Sequence, residues 1–192
     1  GENLSPLDNP PIFEDIECEP ELVDIKFISE PWDCGGLYKL GDFPSKNTFT
    51  WNGHFRDDLR RFWKGDKDTA WNMSDKIKGT PSIYKEDNIF PKSINFITSH
   101  DGFTLKDLVT FNRKHNFANR EQNRDGDNHN NSWNHGTEGP TSNLLINDLR
   151  KRQQKKAVSR SSFFSEIEND GKSFLKNFLK YKQHVEIVSS SR

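Results

Sequence analysis

The chain has 192 residues, of which 31% are apolar and 30% are charged, and its net charge is −1 at pH 7. The apolar share is small for this length, but an aromatic content of 12% argues against a disordered chain. Two cysteines are too few for a disulfide framework and no apolar run is long enough to span a bilayer, so neither a disulfide scaffold nor a membrane protein is expected.

The first predicted elements are a helix and a strand. Asp8 to Pro11 is a helix-start signal, and a narrow apolar face follows it until Glu19 and Pro20 end the helix. Ile25 to Ser29 is predicted to be a strand. The stretch from Asp33 to Thr50 is rich in Gly, Pro, Lys and Asn and is predicted to be a loop.

Helices dominate the next predicted stretch. Asp57 to Lys64 is predicted to be a helix, and a second, short helix is predicted near Trp71 to Ile77. The arginines Arg56, Arg60 and Arg61 are expected to face solvent or to pair with nearby acids.

A second strand and a third helix are predicted beyond residue 92. The strand covers Ile94 to Thr98. Thr104 to Asp107 has the form of a capping box with Asp in place of Glu, and the helix after it should bury Leu105, Leu108 and Val109.

Two acidic residues follow the two predicted strands. Glu30 comes directly after the first strand, and Asp101 comes shortly after the second. Parallel strands of α/β barrels present catalytic groups at their carboxyl ends, so we expect both carboxyl groups to converge on one cleft. The alternative is that both are turn or capping acids, and position alone favours that interpretation.

The stretch from Asn116 to Thr141 has no apolar period. A loop of this length inside a compact domain is usually functional. Its segment from Asp125 to His129 could suggest a metal site, but the closing bidentate Glu of a calcium loop is lacking and the histidines are too scattered for zinc. We therefore predict a loop held by hydrogen bonds.

The chain carries several separate motifs: Glu30-Pro31-Trp32-Asp33, Trp51 to Trp63, Asn95 to Leu105, Asn116 to Asn119, Asn123 to Gly126, Ser132 to Asn134, Glu138 to Thr141 and Leu149 to Gln153. Taken together, these motifs resemble the isoamylase and glycogen-debranching branch of the alpha-amylase superfamily. Their order and spacing also match, over roughly residues 1 to 157.

The resemblance implies roles for individual residues. It makes Glu30 the general acid/base of a retaining glycosidase, Asp101 the carboxylate that stabilises the transition state, and His100 a substrate-binding neighbour. It also places near bound glucan the loop residues Asn123, Arg124, Asp125, Trp133 and Asn134. Trp32 and Trp51 could stack on sugar rings, although core packing is the commoner role of a tryptophan.

The implied fold is α/β: a partial (β/α)8 TIM barrel comprising about strands five to seven with their active-site loops. The implied function is that of a fragment of a glycoside hydrolase that cleaves α-1,6 branch linkages of glycogen or a related α-glucan. The family's nucleophile, an Asp in an Arg-Phe-Asp-Leu-Ala type strand, has no counterpart in this sequence, so we expect no turnover by the chain alone. The alternatives are a non-catalytic glucan-binding fragment and a non-functional gene remnant.

The sequence is expected to divide into a barrel segment, residues 1–157, and an unmatched Ser/Lys-rich tail, residues 158–192. From Arg150 onward there are eleven Lys and Arg against four Asp and Glu. Nucleic-acid contact would suit this charge, but aromatic residues at helical spacing among the lysines fit an amphipathic surface helix equally well. The expected partner is therefore an α-glucan, with no nucleic acid, membrane, metal or cofactor, and the expected location is the cytoplasm or, alternatively, a plastid.

Overall fold

The computed structural model describes residues 7–45, 47–84 and 92–158. These residues belong to two compact units, each built from two stretches of chain. Unit 1 comprises Gly1–Gly53 and Lys78–Phe96, and unit 2 comprises His54–Ile77 and Ile97–Arg192. The predicted basic tail lies outside the described residues.

Unit 1 contains helix α1 (Pro11–Cys18) and a short 3-10 turn (Pro20–Leu22). Proline at the first position of α1 suits a helix start, because the missing N–H would have had no partner there. The predicted helix and its end at Glu19 are confirmed. α1 packs on the rest of the unit through Phe13, whose ring meets Phe43 edge-on with centroids 5.3 Å apart.

The sheet of unit 1 has three parallel strands: β1 (Phe27–Ser29), β2 (Thr48–Trp51) and β3 (Ser93–Ile94). They lie in chain order, with β2 in the centre. The register aligns Ser29 with Thr50, and Thr50 in turn with Ser93. The prediction of parallel strands is confirmed, but the structure differs from it in the length of β3 and in the presence of β2.

The central strand was predicted to be part of a loop, and that prediction is wrong. β2 alternates apolar and threonine side chains, and it is the threonines that are buried. Thr48 donates its hydroxyl hydrogen bond to Ser45 over 2.8 Å, and the hydroxyl of Thr50 lies 2.7 Å from that of Tyr84. Hydrogen bonds between hydroxyl groups therefore take the place of the apolar packing from which a strand is usually predicted.

The second strand was predicted to run from Ile94 to Thr98, and the structure corrects this. Only Ser93 and Ile94 are paired as strand, and residues 95–98 are not part of the ladder. Ile97 already belongs to unit 2, where it packs against the apolar core. Core packing thus explains the apolar side chain of Ile97.

Unit 2 contains helices α2 (Gly53–Lys64, whose first residue is assigned to unit 1), α3 (Ala70–Ile77) and α4 (Leu144–Val158), with two 3-10 turns at Asp107–Val109 and Phe117–Asn119. The core of the unit is formed by one face of α2, bearing Phe55, Leu59 and Phe62, together with Met73 of α3. Helix α4 buries Ile146 and Leu149.

Two helix predictions need correction. The capping residue Thr104 does accept a hydrogen bond from the Asp107 amide, at 3.2 Å, but a single 3-10 turn follows instead of a helix. Leu108 and Val109 are nevertheless buried, as predicted. Arg60 was expected to face solvent or an acid, yet it is 4% exposed and donates to the carbonyl oxygens of Ile97 and Asn130.

Candidate functional site

Glu30 is an exposed residue that directly follows β1. Pro31, the next residue, is among the most buried side chains. Its carbonyl oxygen accepts a hydrogen bond of 2.6 Å from the amide of Lys39. The chain on the C-terminal side of Glu30 is therefore anchored while the glutamate itself reaches solvent.

A tight turn follows Glu30 and displays Trp32. The carboxylate of Asp33 accepts hydrogen bonds from the amides of Gly35 and Leu37, at 2.8 and 2.9 Å, and closes the turn. The turn brings Trp32 onto Tyr38, with ring planes 12° apart and centroids 5.9 Å apart. Trp32 is half-buried, and Gly53 leaves space for this pair, since a Cβ there would lie 3.0 Å from the Tyr38 hydroxyl.

Trp51 ends β2 and is 37% exposed. Its ring meets that of Phe96 edge-on, with centroids 5.2 Å apart. Trp51 therefore combines an aromatic packing partner with partial exposure to solvent.

Asp101 lies in unit 2, where hydrogen bonds define its position. Its Oδ1 accepts a short hydrogen bond of 2.6 Å from the Ser99 hydroxyl, and its backbone carbonyl accepts one of 2.8 Å from the Asp127 amide. Two residues on, the amide of Phe103 donates to Oδ1 of Asn130 over 2.8 Å. Asp101 and the residues directly after it are thus tied to residues 127–130.

Burial alone would raise the pKa of Asp101, but the Ser99 hydrogen bond, its own backbone amide and the nearby charges of Arg56 and His100 together lower it below its ordinary value. Asp101 is therefore a carboxylate at neutral pH. His100 beside it is exposed.

An open cleft of about 200 Å³ borders Asp101. Its wall is formed by acidic, basic and amide side chains, two glycines and two phenylalanines. The lining residues are Asp101, Gly102, Phe103, Asp107, Phe111, Arg113, Lys114, His115, Asn116, Gly126, Asp127 and Asn130. Polar groups beside aromatic faces suit a ligand that carries both hydroxyl groups and C–H faces.

The predicted binding residues of the long loop are of two kinds: side chains that form hydrogen bonds within the loop, and an exposed side chain, that of Arg124. Asn123 uses its side chain inside the loop, accepting from the Asn116 amide at 2.8 Å and donating to the Lys114 carbonyl at 3.2 Å. Asp125 accepts from the Asn119 side chain at 2.6 Å. The side chain of Arg124 is exposed and donates to the Glu121 carbonyl at 3.3 Å. The prediction of a loop held by hydrogen bonds is confirmed.

Trp133 is half-buried and stacks on His135, with ring centroids 4.3 Å apart and planes 23° apart. His135 is 4% exposed, and its Nδ1 lies 3.2 Å from the Val109 carbonyl. Burial, together with the charge of Arg150, lowers the pKa of His135 to about 4, so the imidazole is neutral at pH 7 and donates that hydrogen bond. Trp133 therefore takes part in packing.

Three charged residues of this region were not singled out from the sequence. Lys114 donates to three backbone carbonyls, and Arg150 donates to three others, those of Asn134, Thr137 and Gly139. Glu138 accepts from the amides of Asn112 and Arg113, the Asn134 side chain and the His115 ring. The sequence signal that could have identified them is the density of Asn and Gly around them. It indicates backbone that lacks the regular hydrogen bonds of helices and strands.

Within residues 7–45, 47–84 and 92–158, no group of three or more His, Cys, Asp or Glu side chains is placed to hold a metal ion. No helix in the same ranges is long and apolar enough to cross a membrane. Cys18 and Cys34 are both exposed free thiols.

An acid directly after a parallel strand and a second acid on a polar cleft are features typical of glycoside hydrolases, which act through carboxyl groups. No family model matches the chain. It is, however, 47% identical over 153 residues to isoamylase SU1, chloroplastic, from Zea mays, and 45% identical over 157 residues to the glycogen operon protein GlgX homolog from Haemophilus influenzae. The GlgX homolog from Mycobacterium tuberculosis is 46% identical over 145 residues.

The alignments cover 79%, 81% and 74% of this chain but only 19%, 23% and 20% of the respective relatives. The chain thus spans about a fifth of the length of the curated relatives it matches. It belongs to the isoamylase and glycogen-debranching branch of the alpha-amylase superfamily of glycoside hydrolases, and this relationship implies a fold of the TIM-barrel type.

Proposed function

We propose that this chain forms part of the catalytic site of a retaining glycoside hydrolase that cleaves α-1,6 branch linkages in glycogen or a starch-like glucan. The exposed position of Glu30 at the end of a parallel strand, in a segment 47% identical to a maize isoamylase, is the observation that carries the proposal. The sheet of unit 1 is assigned to barrel strands five to seven.

In this proposal Glu30 is the general acid/base. Hydrolysis of a glycosidic bond needs a carboxyl group that hands a proton to the leaving oxygen and then activates water. Glu30 is accessible to a polymer, and the buried Pro31 holds its backbone. Both properties are needed for a group that must meet a large substrate in a defined orientation.

Asp101 stabilises the positive charge that develops on the sugar ring. This role requires an ionised carboxylate, and the lowered pKa of Asp101 supports it. Ser99 holds the orientation of the carboxylate through a hydrogen bond of 2.6 Å. We assign the nucleophile to none of the acids in these 192 residues.

Glucan contacts are proposed for the accessible members of the predicted set. Trp51 and Trp32 offer ring faces, while His100 and Arg124 offer exposed polar groups. Asn123 and Asp125 act indirectly, because their hydrogen bonds shape the loop that carries Arg124. Trp133 supports the loop by packing on His135. The reaction runs in a reducing compartment, the cytoplasm or a plastid, and the maize relative is named as chloroplastic.

A chimera tests the assignment in a complete enzyme. The matching stretch of the maize isoamylase is replaced by the corresponding residues of this chain, and release of linear chains from glycogen is compared with hydrolysis of linear amylose. We expect activity on glycogen alone. Glu30→Gln should lower kcat by about 10²–10⁴-fold with little change in glucan binding, because the proton donor acts mainly in the transition state.

Glu14→Gln is the matched control, since Glu14 is an exposed acid of α1 in the same unit. It should leave kcat unchanged. Equal losses of binding and turnover in Glu30→Gln would contradict the assignment of Glu30. The 192-residue chain assayed alone should be indistinguishable from buffer, and turnover by it that Glu30→Gln abolishes would require a nucleophile among its own acids.

A further inference from the structure

Lys114 occupies a position that in many proteins would hold a bound cation. Its ammonium nitrogen lies 3.2, 2.9 and 3.0 Å from the carbonyl oxygens of Arg124, Asp125 and Gly126. An ammonium group has three N–H donors and no acceptor, so these three contacts use its full hydrogen-bonding capacity. Three consecutive carbonyls that point at one centre would repel each other without a positive charge between them.

The three-carbonyl turn at residues 124–126 lies against the backbone of Asp101. The Asp127 amide, next along the chain, donates to the Asp101 carbonyl over 2.8 Å. Gly126 has φ of +71°, and a Cβ at this position would lie 3.2 Å from the same carbonyl oxygen. The approach is close enough that a shift of the turn is transmitted to Asp101.

Further contacts join the same segment to Phe103, two residues after Asp101. Asn130 is 4% exposed, donates to the Asp127 carbonyl and accepts from the Phe103 amide, each over 2.8 Å. The chain from residue 124 to 130 is therefore one rigid support for residues 101–103. At its other end the turn is held by the Asn116 side chain, at 3.2 Å from the Asp125 carbonyl, and by Lys114.

We propose that Lys114 is a positioning residue for Asp101, acting as an internal cation that closes the turn at residues 124–126 and thereby sets the location of the Asp101 backbone. Lys114 itself takes no part in bond breaking. The proposal rests on the function proposed above only for its kinetic consequence, because the structural coupling can be measured without substrate.

The structural test uses amide hydrogen exchange in the 192-residue chain. Lys114→Met removes the ammonium group but keeps a side chain of similar length. We expect the Asp127 amide to exchange about tenfold faster, while amides in the middle of α2 remain unchanged. The matched control is Lys67→Met, since Lys67 is an exposed lysine in the same unit.

A chemical rescue separates the charge from the shape of the side chain. In a Cys18→Ser and Cys34→Ser background, Lys114→Cys followed by alkylation with bromoethylamine restores an ammonium group on a stem of nearly the same length. Alkylation should restore protection of the Asp127 amide. Alkylation of the same cysteine with iodoacetamide, which adds an uncharged group, should not restore it.

The kinetic test uses the maize chimera. A small displacement of Asp101 lowers transition-state stabilisation with little effect on ground-state binding, so Lys114→Met should lower kcat about 10- to 100-fold with KM within about twofold. The proposal is overturned if the Asp127 amide exchanges at the wild-type rate, or if KM rises while kcat is unchanged, which would make Lys114 a glucan contact. If Glu30→Gln leaves the chimera active, the proposed function fails, and the exchange experiment still decides the role of Lys114.

Discussion

The two candidate carboxylates are supported in opposite ways. Glu30 follows β1, which pairs with β2 in a regular parallel ladder. Asp101 lies among turns and irregular chain, where side chains provide some of the backbone partners, as Asn130 does for the Phe103 amide. A ladder satisfies its own N–H and C=O groups, whereas irregular backbone has to find donors elsewhere.

The buried polar residues of the described ranges reflect this difference. Those of unit 1 are uncharged: Ser45, Thr48, Thr50, Asn52 and Thr80. Those of unit 2 include four basic side chains, Arg60, Lys76, His135 and Arg150. Arg60 and Arg150, with the less buried Lys114, donate to backbone carbonyls, because a charged donor forms the stronger hydrogen bond and reaches several oxygens at once. The irregular backbone of unit 2 is therefore held by cationic donors, whereas the buried polar groups of unit 1 are neutral.

The largest expected effect comes from removing one of these cations. Arg150→Met should lower the free energy of unfolding by about 3 to 4 kcal/mol, because one buried and two partly buried carbonyls lose their donor. Urea denaturation measures this change. Arg152→Met is the control on the same helix, since Arg152 is exposed and pairs with Asp148 over 3.1 Å, and its loss should stay below about 0.5 kcal/mol. Similar losses in both variants would remove the contrast between buried donors and surface pairs.

The two units differ in how much of this contrast could be predicted from the sequence. α1, α3, β1 and the position of Glu30 follow from short apolar runs and proline signals, which depend on local chemistry. β2 could not be predicted, because its buried face carries threonines whose partners, Ser45 and Tyr84, are set by the fold. Polar strands that are satisfied by hydroxyl groups leave no apolar pattern.

The supports of Asp101 were hidden for a related reason. Arg60 belongs to a helix that also carries the exposed Arg61, and nothing local distinguishes the two. The targets of Arg60 are backbone carbonyls 37 and 70 residues away along the chain. Every residue has a backbone carbonyl, so the residue that accepts a hydrogen bond from such a donor cannot be recognised from the sequence.

A pH-dependent test addresses the buried imidazole of unit 2. Burial lowers the folded-state pKa of His135 to about 4, whereas the unfolded chain takes up a proton near the ordinary value of 6.5. The free energy of unfolding should therefore fall as the pH drops through this window, by roughly 3 kcal/mol in total, and level off below pH 4.

His135→Asn should remove that part of the pH dependence. Asparagine tolerates the φ of +57° that His135 adopts, so the backbone is retained. The difference in unfolding free energy between the two proteins, measured at intervals from pH 7 to 4, isolates the histidine from the other titrating groups. The exposed His129→Asn should keep the wild-type slope. A wild-type slope in His135→Asn would exclude His135 as its source.

The uncharged support of unit 1 gives a smaller expected effect. Asn52 is fully buried, and its amide donates to the hydroxyls of Thr80 and Ser93 at 2.8 and 2.9 Å. Thr80 has φ of +62°, an unfavourable conformation for a β-branched residue, and the Asn52 hydrogen bond helps to hold it. Asn52→Ala should cost about 2 kcal/mol in urea denaturation, against less than about 0.5 kcal/mol for the exposed Asn47→Ala. A cost above that of Arg150→Met would reverse the ranking of neutral and charged supports.

The smallest expected effect belongs to Glu138, an anionic support at the surface of unit 2. Burial would raise its pKa, but the His115 ring, the Asn112 and Arg113 amides and the Asn134 side chain lower it to about 2. Its contribution is therefore present above the ordinary value of 4.5 and is lost as the pH falls towards 2. The side chain is 36% exposed, so solvent screens the charge and Glu138→Gln should cost less than about 1 kcal/mol at pH 7. The change should be local, with faster exchange of the Asn112 and Arg113 amides and unchanged exchange in α2. A loss as large as that of Arg150→Met would mean that exposure does not weaken a support in this loop.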